Sequence, residues 1–431
     1  MKDTEEVKVY DTPGEREKLN EKYDDILSLR SYAPILIADY NESLYGEFQN
    51  IEEVMRLTDI SQLGLAAYTS IAYAWHGNRF QHSVLNAAKL DQLFQTHEQL
   101  DESERELAVA VGMLHDIAST PYSDSVAIPL ELDDQENFEK VLENSEVASK
   151  GGYLDKHGID KKRLIKLIEG KDDSPLGQLT SSKESIDVDR WSYITIDSAL
   201  KGIGFNREFI DPFESMRVID GDIVFEDVQE VKKFLQLRAE MFDEVYKNKK
   251  LRAKEAFFGK IIKKFVYGNE FGLKEMDMFE WTDEDLHGFL VRNGKDLEYK
   301  IFGVDGFTLY GRFDASEEEL NRFLSEHTDS KYVLEEDYSI HDATGTLVVC
   351  EDEEGNEEVK KFSEVEKEST AIIKERLEKD EGIILYGQEG DEDLKKANKK
   401  AKRDFEVLES YLEDNKCQDP KQNSLRKIVS P

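Results

Sequence analysis

The 431-residue chain carries 94 acidic against 57 basic side chains, a net charge of −37, and is 39% apolar. That balance excludes a broad duplex-nucleic-acid face, which needs clustered Lys and Arg, while the apolar share can fill a sizeable core over two or three domains. Two cysteines, Cys350 and Cys417, are too few for a disulfide framework or a zinc-thiolate cluster. No run approaches the roughly 20 apolar residues of a membrane span, and the opening MKDTEEVKVYDT lacks the apolar core of a signal peptide. A cytoplasmic protein without a membrane partner is therefore expected.

Residues 1–45 are charged and mixed around one short apolar run, Ala33–Ala38, and form an N-terminal extension. From 46 to 270 the pattern is helical. Leu107, Ala110, Val111, Leu114 and Ile117 predict a helix over Glu106–Ile117, and Phe138, Val141 and Leu142, then Leu164, Ile165 and Ile168, repeat the spacing. Pro121, Pro129 and Pro175 fall in connections. Over 271–431 the texture changes. Tyr299–Val304, Thr346–Cys350 and Ile383–Tyr386 read as strands, and Glu354-Gly355-Asn356 reads as a hairpin turn leading into Glu358–Phe362. Helical runs follow at about 364–379 and 391–415, before a frayed tail. The fold class is mainly α, a helical domain followed by a smaller α+β C-terminal domain.

Three stretches carry chemistry: Asn78-Arg79-Phe80-Gln81-His82-Ser83, Met113-Leu114-His115-Asp116-Ile117, and Ser185-Ile186-Asp187-Val188-Asp189-Arg190-Trp191-Ser192-Tyr193. Imidazole with carboxylate suits a divalent ion: Mn, Mg, Fe, Ni or Zn. A carboxylate beside His at the end of an apolar helix is costly unless a cation pairs with it. A lone His-Asp pair is more often structural, and the flanking Arg-x-x-His and Asp-x-Asp-Arg turn the reading towards metal ligands. Asp189, Tyr193 and Asp197 lie at i, i+4 and i+8, one helix face.

The order His…His-Asp…Asp resembles that of the HD superfamily of metal-dependent phosphohydrolases. The resemblance makes His82, His115, Asp116 and Asp189 the metal ligands, with Asp187 the rival for the fourth place. Gln62-Leu63-Gly64, the Asn78–Ser83 and Asp187–Tyr193 stretches, and Arg238 eight residues before Tyr246 are similar to the deoxynucleoside triphosphate triphosphohydrolases of the SAM-and-HD-domain type. This likeness spans roughly residues 50–260. It implies that Arg79 and Arg190 approach phosphates near the metal and that Arg238 reaches the distal end, guanidinium forks being matched to phosphate oxygens. Gln62, Leu63, Tyr193, Asp197 and Tyr246 would wall the sugar. A homo-oligomer is a further expectation by resemblance.

The chain departs from that family after the His-Asp doublet. Ser119 and Asp124 stand where further histidines are typical, Gln135-Glu136 where a His-Glu pair is expected, and Asn248 where His is common. Hydrolysis at the α-phosphate must protonate the sugar's 5′ oxygen as it leaves. Asp124 is the candidate acid, provided burial or a neighbouring carboxylate raises its pKa, and Glu136 is the next. The expected function is hydrolysis of deoxynucleoside triphosphates to deoxynucleoside and triphosphate. The alternatives are an HD phosphohydrolase acting on a nucleoside monophosphate or a phosphodiester, and a nucleotide-binding protein with little turnover.

Overall fold

The computed structural model describes residues 46–65, 77–201, 210–268, 274–293, 307–313, 332–336, 341–352, 354–378 and 383–388, apart from some side chains within them. Helices dominate the first part. In chain order they are α1 (Glu52–Arg56), α2 (Arg79–Thr96), α3 (Arg105–Leu114), α4 (Asp124–Ala127), α5 (Asp134–Asn144), α6 (Tyr153–His157), α7 (Lys161–Ile168), α8 (Pro175–Thr180) and α9 (Val188–Lys201). A hairpin, β1 (Met216–Ile219) and β2 (Asp222–Phe225), precedes α10 (Val228–Met241), a π turn at Phe242–Tyr246, α11 (Lys249–Tyr267) and α12 (Asp283–Asn293). Then come β3 (Phe307–Phe313), β4 (Tyr332–Glu336), β5 (Leu347–Glu351), β6 (Glu357–Lys361), α13 (Phe362–Val365), α14 (Lys367–Glu378) and β7 (Ile383–Gln388). The architecture is mainly α with a smaller α+β part, as the sequence pattern implies.

Local sequence explains the elements that carry the site. Helix α2 opens with a reciprocal capping box: Asn78 Oδ1 accepts from the Gln81 amide at 2.8 Å, and Gln81 Oε1 accepts from the Asn78 amide at 3.2 Å. Helix α3 is apolar and its residues Ala108–Leu114 are all buried. It packs against α2 so tightly that a Cβ on Gly112 would lie 2.5 Å from the Ala87 backbone nitrogen and Cα. Only glycine permits this approach. The helix predicted over Glu106–Ile117 ends at Leu114, because the Ile117 amide turns back to Leu114 O at 3.1 Å and the Ser119 amide to Asp116 O at 2.8 Å.

The hairpin β1–β2 has no counterpart in the sequence reading. Its two-residue turn, Asp220-Gly221, has φ of 54° and 93°, the left-handed pair that a tight hairpin demands. Strand β2 pairs in parallel with β5, and β5 in antiparallel with β6, giving a sheet of order β1-β2-β5-β6 that draws strands from both sides of residue 270. Val348, Phe362, Ile373 and Leu377 join the same apolar core as α2, α3 and α9. A second sheet has the order β3-β7-β4 and is antiparallel throughout. The hairpin through Gly355 and the strand from Ile383 match the sequence reading, and the run 364–379 divides into α13 and α14 at Glu366. Ala33–Ala38, Tyr299–Val304 and 391–415 lie outside the described residues.

Candidate metal centre and nucleotide pocket

Helices α2, α3 and α9 bring imidazoles and carboxylates to one point. His82 Nε2 lies 3.1 Å from His115 Nε2 and 2.9 Å from Asp189 Oδ1, and His115 Nε2 lies 3.4 Å from that same oxygen. Asp116 Oδ2 approaches to 3.7 Å of His82 Nε2 and 3.6 Å of His115 Nε2. His82, His115 and Asp189 form the tight group that could hold an ion, with the Asp116 carboxylate at its edge. Asp187, the rival, faces away from them. Its Oδ1 accepts from the Arg190 amide at 2.7 Å and its Oδ2 from the Ser182 amide at 2.9 Å, the work of a helix cap.

The outer hydrogen bonds test whether this set fits a cation. His115 Nδ1 donates to Gly112 O at 2.9 Å. Ser192 Oγ donates its one proton to Asp189 O at 2.9 Å, so at 3.0 Å it accepts from His82 Nδ1. Both Nδ1 atoms thus carry a proton, and both Nε2 atoms face each other and the Asp189 carboxylate. Nitrogens and a carboxylate so close call for a positive charge among them, a proton on His115 or a cation in its place. Two nitrogens each about 2.1 Å from one ion, at right angles, would stand about 3 Å apart, close to what is found. The donor set fits a divalent ion, with the imidazoles oriented from behind as metal-bound histidines usually are.

The electrostatics agree. Burial alone would lower the His115 pKa, but the Asp116 carboxylate, with Asp189, outweighs it and raises it to about 9. Burial would raise the pKa of Asp116, yet Arg79 and the two imidazoles hold it below the usual carboxylate range. Asp189, whose side chain is 38% exposed, is held well below that range by His115 and His82.

Arg79 supplies the cation that the Asp116 position calls for. Its Nη1 donates to both Asp116 oxygens at 3.1 Å, and its Nε donates to Ser123 Oγ at 2.9 Å. Tyr122 and Ser123 adopt φ of 55° and 49°, left-handed values that cost a non-glycine residue about 1–3 kcal/mol each. Arg56 braces the same loop, donating to Ile117 O at 3.0 Å and Ser119 O at 2.7 Å.

Farther along α9, Tyr193 and Asp197 meet Arg238 and Tyr246. Arg238 Nε donates to Tyr193 Oη at 3.3 Å, and Tyr246 Oη donates to Asp197 Oδ2 at 2.7 Å. The Tyr193 and Tyr246 rings meet edge to face at 6.3 Å. Burial, then the Asp197 carboxylate, push the Tyr246 pKa well above its ordinary value, so it remains a proton donor. Arg238 is 3% exposed with its guanidinium 4.9 Å from the Phe242 ring centre, and its Nη1 has no hydrogen-bond partner among the described residues. Gln62 and Leu63 sit in a turn bridged to the start of α2 through Ser61 and Asn78. Leu63 packs on an apolar cluster that includes Leu65 and Tyr122, and Gln62 Oε1 is buried without a hydrogen-bond partner among the described residues.

Three expectations need correction or stand aside. Arg190, expected at a phosphate, is spent on its own helix start: Nη1 donates to Ser185 O at 3.0 Å, to Ser182 O and to Asp187. Asp124, expected to be a buried acid, begins α4 with a side chain 70% exposed and its Oδ1 3.8 Å from Arg79 Nη2, so the burial that role presupposes is not found. The side chain of Glu136 lies outside the described ones. Asn248 accepts from the Leu251 amide at 3.3 Å and caps α11. Sequence reasoning missed Ser192, Gly112 and Ser123, which orient His82, His115 and Arg79. Ser192 sits three residues after Asp189, a helical spacing that would have put it on the same side.

Comparison with known proteins agrees with this arrangement. No family model matches the chain. The chain is 26% identical over 300 residues to the uncharacterized protein YwfO of Bacillus subtilis (strain 168), covering 66% of this chain and 65% of that protein. It is 26% identical over 225 residues to the deoxynucleoside triphosphate triphosphohydrolase SAMHD1 homolog of Dictyostelium discoideum, covering 47% of this chain and 43% of that protein. The match thus spans less than two thirds of either relative's length. Among solved structures, a hypothetical protein from Aquifex aeolicus superposes with a TM-score of 0.62 at 22% identity, over 83% of this chain and 95% of that one. A phosphohydrolase from Bacteroides thetaiotaomicron VPI-5482 gives 0.55 at 18%, over 79% and 94%. At such identities the structures show a shared fold. In sequence and fold the chain resembles the HD-type phosphohydrolases, as its motifs imply. No helix among the described residues is long and apolar enough to cross a membrane.

Proposed function

We propose that this protein is a metal-dependent phosphohydrolase that cleaves deoxynucleoside triphosphates to deoxynucleoside and triphosphate. The observation that supports the nucleotide reading is Arg238, a buried guanidinium bonded to Tyr193 in the middle of the Asp189–Tyr193–Asp197 row, its Nη1 without a hydrogen-bond partner among the described residues. A buried donor left unpaired calls for an acceptor, and a fixed cation prefers an anionic one. Asp189 and Asp197 are eight residues apart, which is about 12 Å along a helix and comparable to an extended nucleotide. The SAMHD1 homolog of Dictyostelium, by its name, acts on such substrates.

His82, His115, Asp116 and Asp189 would hold a divalent ion, which would supply polarisation of a phosphoryl oxygen and acidification of a water. The chain's own residues do the rest. Arg79 keeps the Asp116 carboxylate charged and offers a cation to the phosphates beside it. Arg238 binds the distal phosphate, and Tyr193, Tyr246 and Asp197 hold the sugar. The leaving 5′ oxygen takes its proton from water, since Asp124 at the rim is exposed beside Arg79.

A second reading, a nucleotide-binding protein with little turnover, is favoured by the exposure of Asp124 and by Ser119 at a typical histidine position. Incubation with each dNTP and several divalent ions, followed by separation of products, decides between them. Release of triphosphate supports hydrolysis, and tight binding without product supports the second reading.

A further inference from the structure

Asp283 is the first residue of α12, outside the span of sequence that resembles the triphosphohydrolases, and it is buried. Its carboxylate joins two turns that are 61 residues apart in the chain. Oδ2 accepts from the Ser61 amide at 3.1 Å and from Ser61 Oγ at 2.7 Å, while Oδ1 accepts from the Tyr122 amide at 2.6 Å. The turns also press on each other. A Cβ on Gly64 would lie 2.4 Å from Tyr122 O, and Ser123 Oγ donates to Ser61 O at 2.8 Å. That same hydroxyl accepts from Arg79 Nε, whose guanidinium holds Asp116. A continuous chain of hydrogen bonds therefore runs from Asp283 through Ser61, Ser123 and Arg79 to the metal centre. Arg56 adds a separate brace, donating to Trp281 O at 2.7 Å as well as to the loop after Asp116.

We propose that Asp283 is a positioning residue of the site: it satisfies the buried Ser61 and Tyr122 amides, locks the two turns together in the left-handed conformation of Tyr122–Ser123, and so aims the Arg79 guanidinium at Asp116. A carboxylate suits the post because both its oxygens accept and neither donates. Asparagine in its place would offer one acceptor and an NH2 group facing donors. The proposal rests on the phosphohydrolase reading only for what Arg79 then meets.

The test compares full-length Asp283→Ala and Asp283→Asn with Leu290→Ala, a buried substitution in the same helix that shares the apolar cluster of Tyr122 but removes no hydrogen bond from either turn. One readout needs no substrate: the Arg79 Nε–H resonance, identified by its loss in Arg79→Lys and slow to exchange in the parent. It shifts and exchanges faster in Asp283→Ala, less so in Asp283→Asn, and stays in place in Leu290→Ala even where melting temperatures match. The second readout is binding of inorganic triphosphate to the Mn²⁺-loaded protein, weakened about tenfold in Asp283→Ala with ion stoichiometry retained. An unchanged Arg79 resonance in both Asp283 variants, or an equal change in Leu290→Ala, overturns the proposal. If Asp283→Ala does not fold, Asp283→Asn and Ser61→Ala decide by the same resonance. A parent that binds no triphosphate counts against the phosphohydrolase reading and leaves the resonance test intact.

Discussion

Gly112 meets Ala87 at a helix crossing so close that any side chain would collide with backbone, its Cβ falling 2.5 Å from the Ala87 nitrogen. This crossing sets the 3.1 Å between the His82 and His115 nitrogens, and Gly112 O also orients the His115 ring. Gly112→Ala is therefore expected to cost about 1–3 kcal/mol by overpacking. It should also weaken metal binding by roughly 10–100-fold, the usual effect of disturbing the groups behind a ligand. Thermal unfolding and metal titration of the variant check both figures.

Metal binding should be strongly pH-dependent. In the ion-free protein His115 titrates at about 9, above the ordinary imidazole value, so an arriving ion must displace its proton. Apparent affinity is expected to rise about tenfold per pH unit between about pH 6.5 and 9 and then level off, with one proton released per ion. The sign for folding is the opposite. The raised pKa stabilises the ion-free protein fully below the unfolded value near 6.5, and that contribution is lost as pH rises through 9. Titrating Mn²⁺ at several pH values in two buffers of different ionisation heat measures the proton count.

The two aspartates of Asp187-Val188-Asp189 should behave differently. Asp189→Asn removes an oxygen ligand beside both imidazoles and should abolish metal retention and turnover. Asp187→Asn leaves the ligands in place and disturbs a cap, costing about 1 kcal/mol with the ion kept. Burial holds the Asp187 carboxyl up at about 6 against the pull of Arg190, so the neutral asparagine is tolerable there. Elemental analysis of both purified variants separates the roles.

Arg238→Ala should discriminate among substrates. It removes the buried guanidinium beside Tyr193 and should lower kcat/KM for a triphosphate by 10–100-fold, a charge-assisted contact being worth about 1.5–3 kcal/mol. A nucleoside monophosphate, with no distal phosphate, should be nearly indifferent. Equal losses on both would move Arg238 from the substrate to the scaffold.

Much of the site was legible in the sequence, because ligand chemistry leaves short local signatures. The Asn78–Gln81 capping box, the apolar α3 ending at His115, and the face shared by Asp189, Tyr193 and Asp197 all follow from helical spacing. Residue type alone does not show how its donors are spent. Arg190 has the side chain of a phosphate ligand, yet Asp187 three residues earlier captures it. Asp124 suits an acid only where burial or a neighbouring carboxylate raises its pKa, and a short helix leaves it 70% exposed beside Arg79. Asp283 gave no local signal at all, since its partners lie more than 160 residues earlier in the chain. The β1–β2 hairpin did carry a signal, Asp220-Gly221, overlooked inside a region dominated by helical periodicity.

The central claim is that His82, His115, Asp116 and Asp189 hold an ion that drives hydrolysis of a deoxynucleoside triphosphate. The direct measurement is separation of the products formed from each dNTP with Mn²⁺, by the parent and by His115→Ala after both have been assayed for bound metal. The account expects deoxynucleoside and inorganic triphosphate from the parent, and neither bound ion nor product from the variant. Stoichiometric metal and undiminished product in His115→Ala, or no triphosphate from the metal-loaded parent with any dNTP, would contradict it.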